Sequence, residues 1–99
     1  MYQITYADGV AEDLGRVPGS HRAGILDRIE LQLKYEPTRQ ARNRKILVGL
    51  APPWDHVDPV WELRIGEYRV FYDVDEVELT VIIRAIRHKP PHQRTGDIL

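Results

Sequence analysis

Apolar and polar positions alternate through residues 61–72, which predicts a β-hairpin. Gly66-Glu67 interrupts the alternation, and a glycine at the first central position fits a two-residue turn that needs positive φ there. This turn predicts that Ile65 pairs with Tyr68 and Arg64 with Arg69. The apolar face then consists of Trp61, Leu63, Ile65, Tyr68, Val70 and Tyr72. Because directly opposed like charges destabilise a sheet, the arginine pair on the other face predicts an anionic ligand.

The N-terminal part predicts one strand and two helices. Alternation over residues 2–6 indicates a short strand with one buried face. A polar helix is expected from Asp8 to Leu14, where it would bury Val10, Ala11 and Leu14 before Pro18 ends it. Ser20 is the expected N-cap of a longer amphipathic helix that Pro37 terminates. Its apolar stripe is formed by Ile25, Leu26, Ile29 and Leu33.

The C-terminal half predicts a second hairpin after a short apolar run, residues 46–50, and a proline-rich loop, residues 51–59. Its turn is expected near Asp75-Glu76, followed by a long central strand from Val77 to about Arg87. With two central residues in this turn, Arg84 and His88 join Arg64 and Arg69 on one face, and Arg69 lies opposite Ile82. Arg87 then points to the other side. A shift of one residue would exchange Arg84 and Arg87.

Together these elements predict an α+β fold in a single domain over residues 1–99. We expect an N-terminal strand, two helices and then a three-stranded antiparallel meander, with the helices packed on one face of a small twisted sheet. The absence of cysteine excludes disulfides and thiolate metal sites. No segment approaches the roughly 20 apolar residues of a membrane span, and the N-terminus lacks a signal-peptide pattern. We therefore expect a cytoplasmic protein without membrane association.

The charges are segregated although the net charge is only −1. One basic run comprises Arg39, Arg42, Arg44 and Lys45, and a second comprises Arg84, Arg87, His88, Lys89, His92 and Arg94. Acidic residues concentrate between Asp55 and Glu78. Such segregation predicts a basic patch that binds a phosphate backbone. The alternative is that these runs are only solvated surface charge.

Three arginines and an imidazole are suited to phosphate chemistry. Guanidinium groups match phosphate oxygens, and an imidazole moves protons readily near neutral pH, so we expect His88 to assist RNA cleavage by the 2′-hydroxyl. In the alternative interpretation, the arginines pair with nearby glutamates and His88 only ends a strand. Asp55, His56 and Asp58 have the residue types of a metal site, but in a proline-rich loop they are more typical of turns. No P-loop, G-x-S-x-G or G-x-G-x-x-G pattern occurs, which argues against nucleotide hydrolases and oxidoreductases.

The segment Leu63-Arg64-Ile65-Gly66-Glu67-Tyr68-Arg69-Val70-Phe71-Tyr72 resembles the RelE/ParE toxin superfamily of bacterial type II toxin–antitoxin pairs. The element order also fits, as do Asp13-Leu14, Pro37, Lys45, Leu47 and Ile86-Arg87-His88-Lys89. RelE-like members cleave mRNA on the ribosome with basic residues of the concave sheet face, whereas ParE-like members inhibit DNA gyrase. The resemblance therefore implies a toxin that inhibits translation, or alternatively a gyrase inhibitor or an inactive member that only binds its antitoxin.

For the nuclease, the resemblance and the predicted face together suggest roles for particular residues. Phosphate binding is expected from Arg69, Arg64 and Arg84, proton transfer from His88 or Lys89, and further RNA contacts from Arg39, Arg42, Arg44, Lys45, Arg87 and His92. No cofactor or metal is expected. The expected partners are a cognate antitoxin protein, mRNA and the ribosome, or gyrase in the alternative. Two departures from the RelE-type nuclease pattern favour the alternatives. Those nucleases have lysines on the strand before the hairpin turn, where this chain has Glu62, and a tyrosine near the C-terminus, where this chain has Pro90–Arg94.

Overall fold

One mixed five-stranded sheet with two helices makes up the fold in the computed structural model, which describes residues 1–99. The elements are β1 (Gln3–Tyr6), α1 (Val10–Gly15), α2 (Gly19–Leu33), β2 (Arg44–Ile46), β3 (Trp61–Ile65), β4 (Tyr68–Asp75), β5 (Thr80–His88) and a final 3-10 turn (Thr95–Asp97). The strand order is β1-β5-β4-β3-β2, with β1 parallel to β5 and the other pairs antiparallel. The expected α+β class is confirmed, and β2 and the parallel β1 extend the predicted meander to five strands.

The first hairpin has the predicted register. Ile65 pairs with Tyr68, Arg64 with Arg69, and the ladder continues to Trp61 and Tyr72. Gly66 occupies the turn with φ of 57°, the left-handed conformation that glycine adopts without a Cβ clash. Because the turn has only two central residues, local sequence alone fixes which side chains share a face.

The second hairpin differs from the prediction. Asp75 pairs with Thr80, so the turn has four central residues, and the Asp75 carboxylate accepts hydrogen bonds from the backbone N–H groups of Val77 and Glu78, both at 3.0 Å. A bulge between Phe71 and Tyr72 shifts the register again further along the strand. As a result, Arg69 pairs with Arg87, and the expected pairing of Arg69 with Ile82 was wrong.

The helices cover one face of the sheet, which we call the helix face. Its core is formed by Val10, Val17, Ile25, Ile29, Leu33, Trp61, Leu63, Val70, Tyr72, Val81, Ile83 and Ile86. In α1, Asp13 is buried and Ala11 is exposed, which reverses the prediction for Ala11. Pro18 occupies the N-cap of α2 with no side-chain hydrogen bond, so the assignment of Ser20 as N-cap was also wrong. Neither helix has the length and apolar content needed to cross a bilayer.

The opposite face of the sheet, which we call the open face, has a smaller apolar cluster and a polar half. Val60, Phe71, Ala85 and Ile98 form the cluster, in which Ile98 follows the final 3-10 turn. The C-terminal segment therefore packs on the open face after β5 ends. Beyond this cluster the open face is polar, and the charged side chains of β3 and β4 emerge there.

Candidate functional site

A polar cavity of about 150 Å³ lies on the open face where β2, β3 and β4 meet the segment after β5. We call it the basic cavity. It is lined by Arg42, Asn43, Arg44, Lys45, Glu62, Arg64, Arg69, Lys89 and Thr95. The antiparallel pairing explains this convergence, because Lys45 lies opposite Glu62 and Arg64 lies opposite Arg69. Residues that are far apart in sequence thus line one cavity that contains no apolar side chain.

Most cations of the basic cavity have no acidic partner. Arg42, Arg64, Arg69 and Lys89 form no salt bridge, and Lys45 lies 3.6 Å from the Glu62 carboxylate. Arg69 is fixed through its Nη1, which donates to the carbonyl oxygens of Gly66 at 3.0 Å and Tyr68 at 2.9 Å. The remaining guanidinium donors can bind a ligand.

Burial lowers the pKa of the Arg69 guanidinium, Glu62 opposes that change, and the neighbouring Arg64 lowers the pKa further. The direction reflects mainly the burial of the guanidinium, and the like charge of Arg64 on the adjacent strand adds to it. A bound anion would relieve this repulsion. The sequence-based expectation that the arginine pair favours an anionic ligand therefore has a geometric basis in the folded chain.

Glu62 is the single carboxylate that lines the basic cavity. Its side chain is only 4% exposed, and its Oε2 accepts a hydrogen bond of 2.9 Å from the Thr95 hydroxyl. The cavity therefore combines several cations with one acidic group. The cations can bind the oxygens of a phosphodiester, and a carboxylate beside them can accept a proton.

Arg84 does not line the basic cavity. Its Nε and Nη2 donate to the two carboxylate oxygens of Asp73 at 2.7 and 3.2 Å, and Asp73 is almost fully buried. The bulge in β4–β5 separates Arg84 from Arg69, and thus the predicted cluster of Arg64, Arg69 and Arg84 was wrong. Arg84 neutralises a buried acid instead.

His88 lies on the helix face, opposite Tyr68, and not beside Arg69 as expected. Its Nε2 is 3.0 Å from the Glu67 carboxylate, and its ring is 5.3 Å from that of Tyr68. His88 lines a different cavity of about 610 Å³, between the start of α2 and the first hairpin turn, which also includes His21. The expected imidazole at the rim of the arginine face is therefore on the other side of the sheet.

The other predicted RNA contacts fall into two groups. Arg42 and Lys45 line the basic cavity as the prediction requires, and so does Lys89, which was predicted to assist proton transfer. Arg44 also contributes to its lining, but it pairs with Leu63, and its guanidinium on the helix face donates to the Glu36 carbonyl and to Gln32 at 3.3 Å. Arg44 is buried and cannot present its charge to RNA.

Arg39, Arg87 and His92 do not line the basic cavity. Arg39 pairs with Glu36 at 2.9 Å in the solvent, and His92 is exposed after β5. Arg87 shares a register pair with Arg69, yet its Nη1 is held by Asp13 at 2.7 Å and its guanidinium lies 5.0 Å from the centre of the Trp54 ring. Its expected position on the face away from Arg69 was wrong, because the bulge between Phe71 and Tyr72 reverses the faces of the β5 residues beyond it.

No group of three or more histidine, aspartate or glutamate side chains is arranged to hold a metal ion. His56 and Asp58 approach each other to 3.7 Å in the proline-rich loop, as turn residues often do. The chemistry that the residues support is therefore binding of a phosphate group by guanidinium and ammonium donors, with one carboxylate nearby.

Residues 4–89 match the family of ParE toxins of type II toxin–antitoxin systems, parDE. The chain belongs to this family. The resemblance inferred from the first hairpin is thereby confirmed. None of the curated proteins is a significant match in sequence.

Solved structures resemble this ParE-family chain in fold. The RelBE2 toxin–antitoxin complex of Mycobacterium tuberculosis matches with a TM-score of 0.68 at 23% identity, covering 89% of this chain and 98% of that one. The archaeal RelE–RelB complex of Pyrococcus horikoshii OT3 matches with a TM-score of 0.67 at 23% identity, covering 94% of this chain and 98% of that one. The isolated RelE toxin of E. coli gives 0.70 at 12% identity, covering 94% and 89%. At these identities the likeness establishes a RelE-like fold.

Sequence reasoning missed two acidic residues that organise this ParE-family chain. Glu62 was noted only as a departure, although strict alternation already put it on the face of Arg64. Asp13 accepts a hydrogen bond of 2.9 Å from the Ile86 N–H and also forms an ion pair with Arg87. The sequence did contain a signal for its burial, because Asp13 lies three residues after Val10 and therefore on the same, buried side of α1.

Proposed function

We propose that this toxin is an endoribonuclease that binds mRNA across the open face and cleaves it, on the ribosome, to inhibit translation. The observation that supports this most directly is the basic cavity, in which Arg42, Arg64, Arg69 and Lys89 carry no acidic partner. Unpaired guanidinium groups beside an ammonium bind phosphodiester oxygens by charge-assisted hydrogen bonds. The cavity is small, so the phosphate, not the base, is the group that we expect to enter it.

The same cations suit the transition state of RNA cleavage. Negative charge builds up on the phosphorane when a 2′-hydroxyl attacks the adjacent phosphate, and preorganised donors stabilise that charge more than they stabilise the substrate. Arg69 is preorganised by its hydrogen bonds to Gly66 and Tyr68. In this proposal Arg64 and Arg69 hold the phosphate, Arg42 and Lys45 bind flanking RNA, and Lys89 assists at the leaving oxygen. No metal or cofactor takes part.

Arg69→Ala tests the proposal directly. Removing a charged donor costs about 1.5–3 kcal/mol, which is roughly a 10- to 100-fold loss in RNA cleavage. We expect induction of the wild type to stop growth and to produce mapped mRNA cleavage sites by primer extension, and we expect Arg69→Ala to do neither efficiently. Arg39→Ala is the matched control, because Arg39 is exposed and does not line the basic cavity. Absence of new transcript ends with the wild type would reject the nuclease.

A second candidate function is a toxin that inhibits DNA gyrase by binding, without cleaving nucleic acid. The observation in its favour is the position of His88, which leaves the basic cavity without an imidazole. Purified protein should then inhibit gyrase supercoiling at stoichiometric concentration while transcripts stay intact. Full gyrase activity in a large excess of toxin would eliminate this candidate.

We also propose that a cognate antitoxin protein binds and neutralises this chain. Several of the similar solved structures are complexes of RelE-type toxins with RelB antitoxins. Co-expression with the product of an adjacent small reading frame should restore growth and yield a complex that copurifies. If growth arrest persists with that product at equal abundance, this pairing is wrong.

A further inference from the structure

The Glu62 carboxylate has one oxygen that no hydrogen bond occupies. Oε2 accepts from the Thr95 hydroxyl at 2.9 Å. Oε1 has the Lys45 ammonium as its neighbour, but at 3.6 Å, which is longer than a hydrogen bond, and the Lys45 side chain is 64% exposed and free to move. Oε1 therefore keeps its lone pairs for another donor at the basic cavity.

Other buried or nearby carboxylates of the chain do not have this freedom. The Asp73 oxygens are taken by Arg84 and the Val57 N–H, and Asp13 binds the Ile86 N–H and Arg87. Glu67, at the hairpin turn, is engaged with His88. Glu62 alone combines an unoccupied oxygen with a position among unpaired cations.

We propose that Glu62 is the general base of RNA cleavage and takes the proton of the attacking 2′-hydroxyl. This inference rests on the proposed nuclease function. The 2′ oxygen forms a bond to phosphorus as its proton passes to Glu62 Oε1, and the bond from phosphorus to the 5′ oxygen breaks. The leaving 5′ oxygen takes a proton from the Lys89 ammonium. The products are a 2′,3′-cyclic phosphate and a 5′-hydroxyl, and solvent exchange restores the protons of both side chains.

Glu62 could instead act only as a counter-charge that reduces the repulsion between Arg64 and Arg69. The two roles predict different behaviour. Removing a counter-charge makes the cavity more positive, so RNA binds more tightly and cleavage continues. Removing a base leaves binding intact or tighter while cleavage is lost.

The experiment measures RNA binding and single-turnover cleavage of mRNA on stalled ribosomes by the full-length protein. For Glu62→Gln we expect cleavage to fall by roughly 100-fold or more, within the range for loss of a general base, with RNA binding equal to or tighter than wild type. Glu67→Gln is the matched control, since it makes the same change on the same hairpin outside the basic cavity.

Chemical rescue separates the two roles even if the glutamine variant folds poorly. In Glu62→Ala, formate should enter the space beside the cations and restore cleavage because it is both an anion and a base. Chloride at the same ionic strength supplies charge without basicity and should not restore it. Cleavage by Glu62→Gln at the wild-type rate, or equal rescue by chloride and formate, would overturn the role of Glu62. A wild-type protein that binds mRNA without cleaving it would instead reject the nuclease itself.

Discussion

The buried ion pair between Arg84 and Asp73 provides a test of whether Arg84 serves the fold or the RNA site. Arg84 donates to both carboxylate oxygens, at 2.7 and 3.2 Å, and Asp73 also accepts from the Val57 N–H at 3.1 Å. The side chains are 19% and 2% exposed. Replacing Arg84 with methionine keeps most of the aliphatic stem but leaves the carboxylate without its cation. We expect a large loss of stability and no direct loss of the cations of the basic cavity.

The magnitude follows from the burial of the acid. Removing one partner of a buried ion pair costs about 3–5 kcal/mol, and the partial exposure of Arg84 places the expectation near the lower value. For a domain of this size, about 3 kcal/mol corresponds to a decrease in Tm of roughly 12–24 °C. Adding Asp73→Asn to Arg84→Met removes the unpaired charge while an oxygen still faces the Val57 N–H. The double variant should therefore be less destabilised than the sum of the single variants.

Urea unfolding followed by circular dichroism measures these free energies for Arg84→Met, Asp73→Asn and the double variant. Arg39→Met is the control, because the exposed pair of Arg39 with Glu36 contributes at most about 1 kcal/mol. Below the unfolding transition, Arg84→Met should still bind RNA like the wild type. A stable Arg84→Met protein that has lost RNA binding would refute the structural role and return Arg84 to the functional site.

Further stability changes follow from single contacts, each measurable by the midpoint of urea unfolding. Gly66→Ala should lower the free energy of unfolding by about 1–2 kcal/mol, because Gly66 has φ of 57°. Gly24→Ala, inside α2 with open space around it, should raise the free energy of unfolding by about 0.5–1 kcal/mol. A loss of stability at both sites would contradict this reasoning. Tyr72→Phe should cost about 1–3 kcal/mol, since the buried hydroxyl donates to the Pro37 carbonyl at 2.7 Å. Burial raises the pKa of Tyr72 above its ordinary 10.0, so native stability is complete below about pH 10 and falls at higher pH as the unfolded chain loses this proton first. That decrease should be smaller in Tyr72→Phe, and identical pH profiles would refute the assignment.

Local sequence predicted the first hairpin and the face shared by Arg64 and Arg69, because a two-residue turn with glycine at positive φ fixes the register within a few residues. The second hairpin has no such signal. Its turn depends on the Asp75 side chain holding two backbone N–H groups, and its register also depends on a bulge in the pairing of β4 with β5. The longer turn moves the pairing by an even number of residues and keeps the predicted faces of β5, whereas the bulge adds one residue and reverses them, and for that reason the positions of His88 and Arg87 were predicted wrongly.

The sequence alone determined the α+β class, the toxin family and an arginine pair that favours an anion, because periodicity, turn chemistry and a contiguous motif are local properties. Tertiary structure decided which charges are available. Arg44 and Arg84 look like Arg64 in the sequence, yet Arg44 is buried on the helix face and Arg84 neutralises Asp73. Conversely, Glu62 enters the basic cavity because β2 and the C-terminal segment close around it. Charge pairing and burial arise between residues far apart in the chain, and only the folded sheet brings them together.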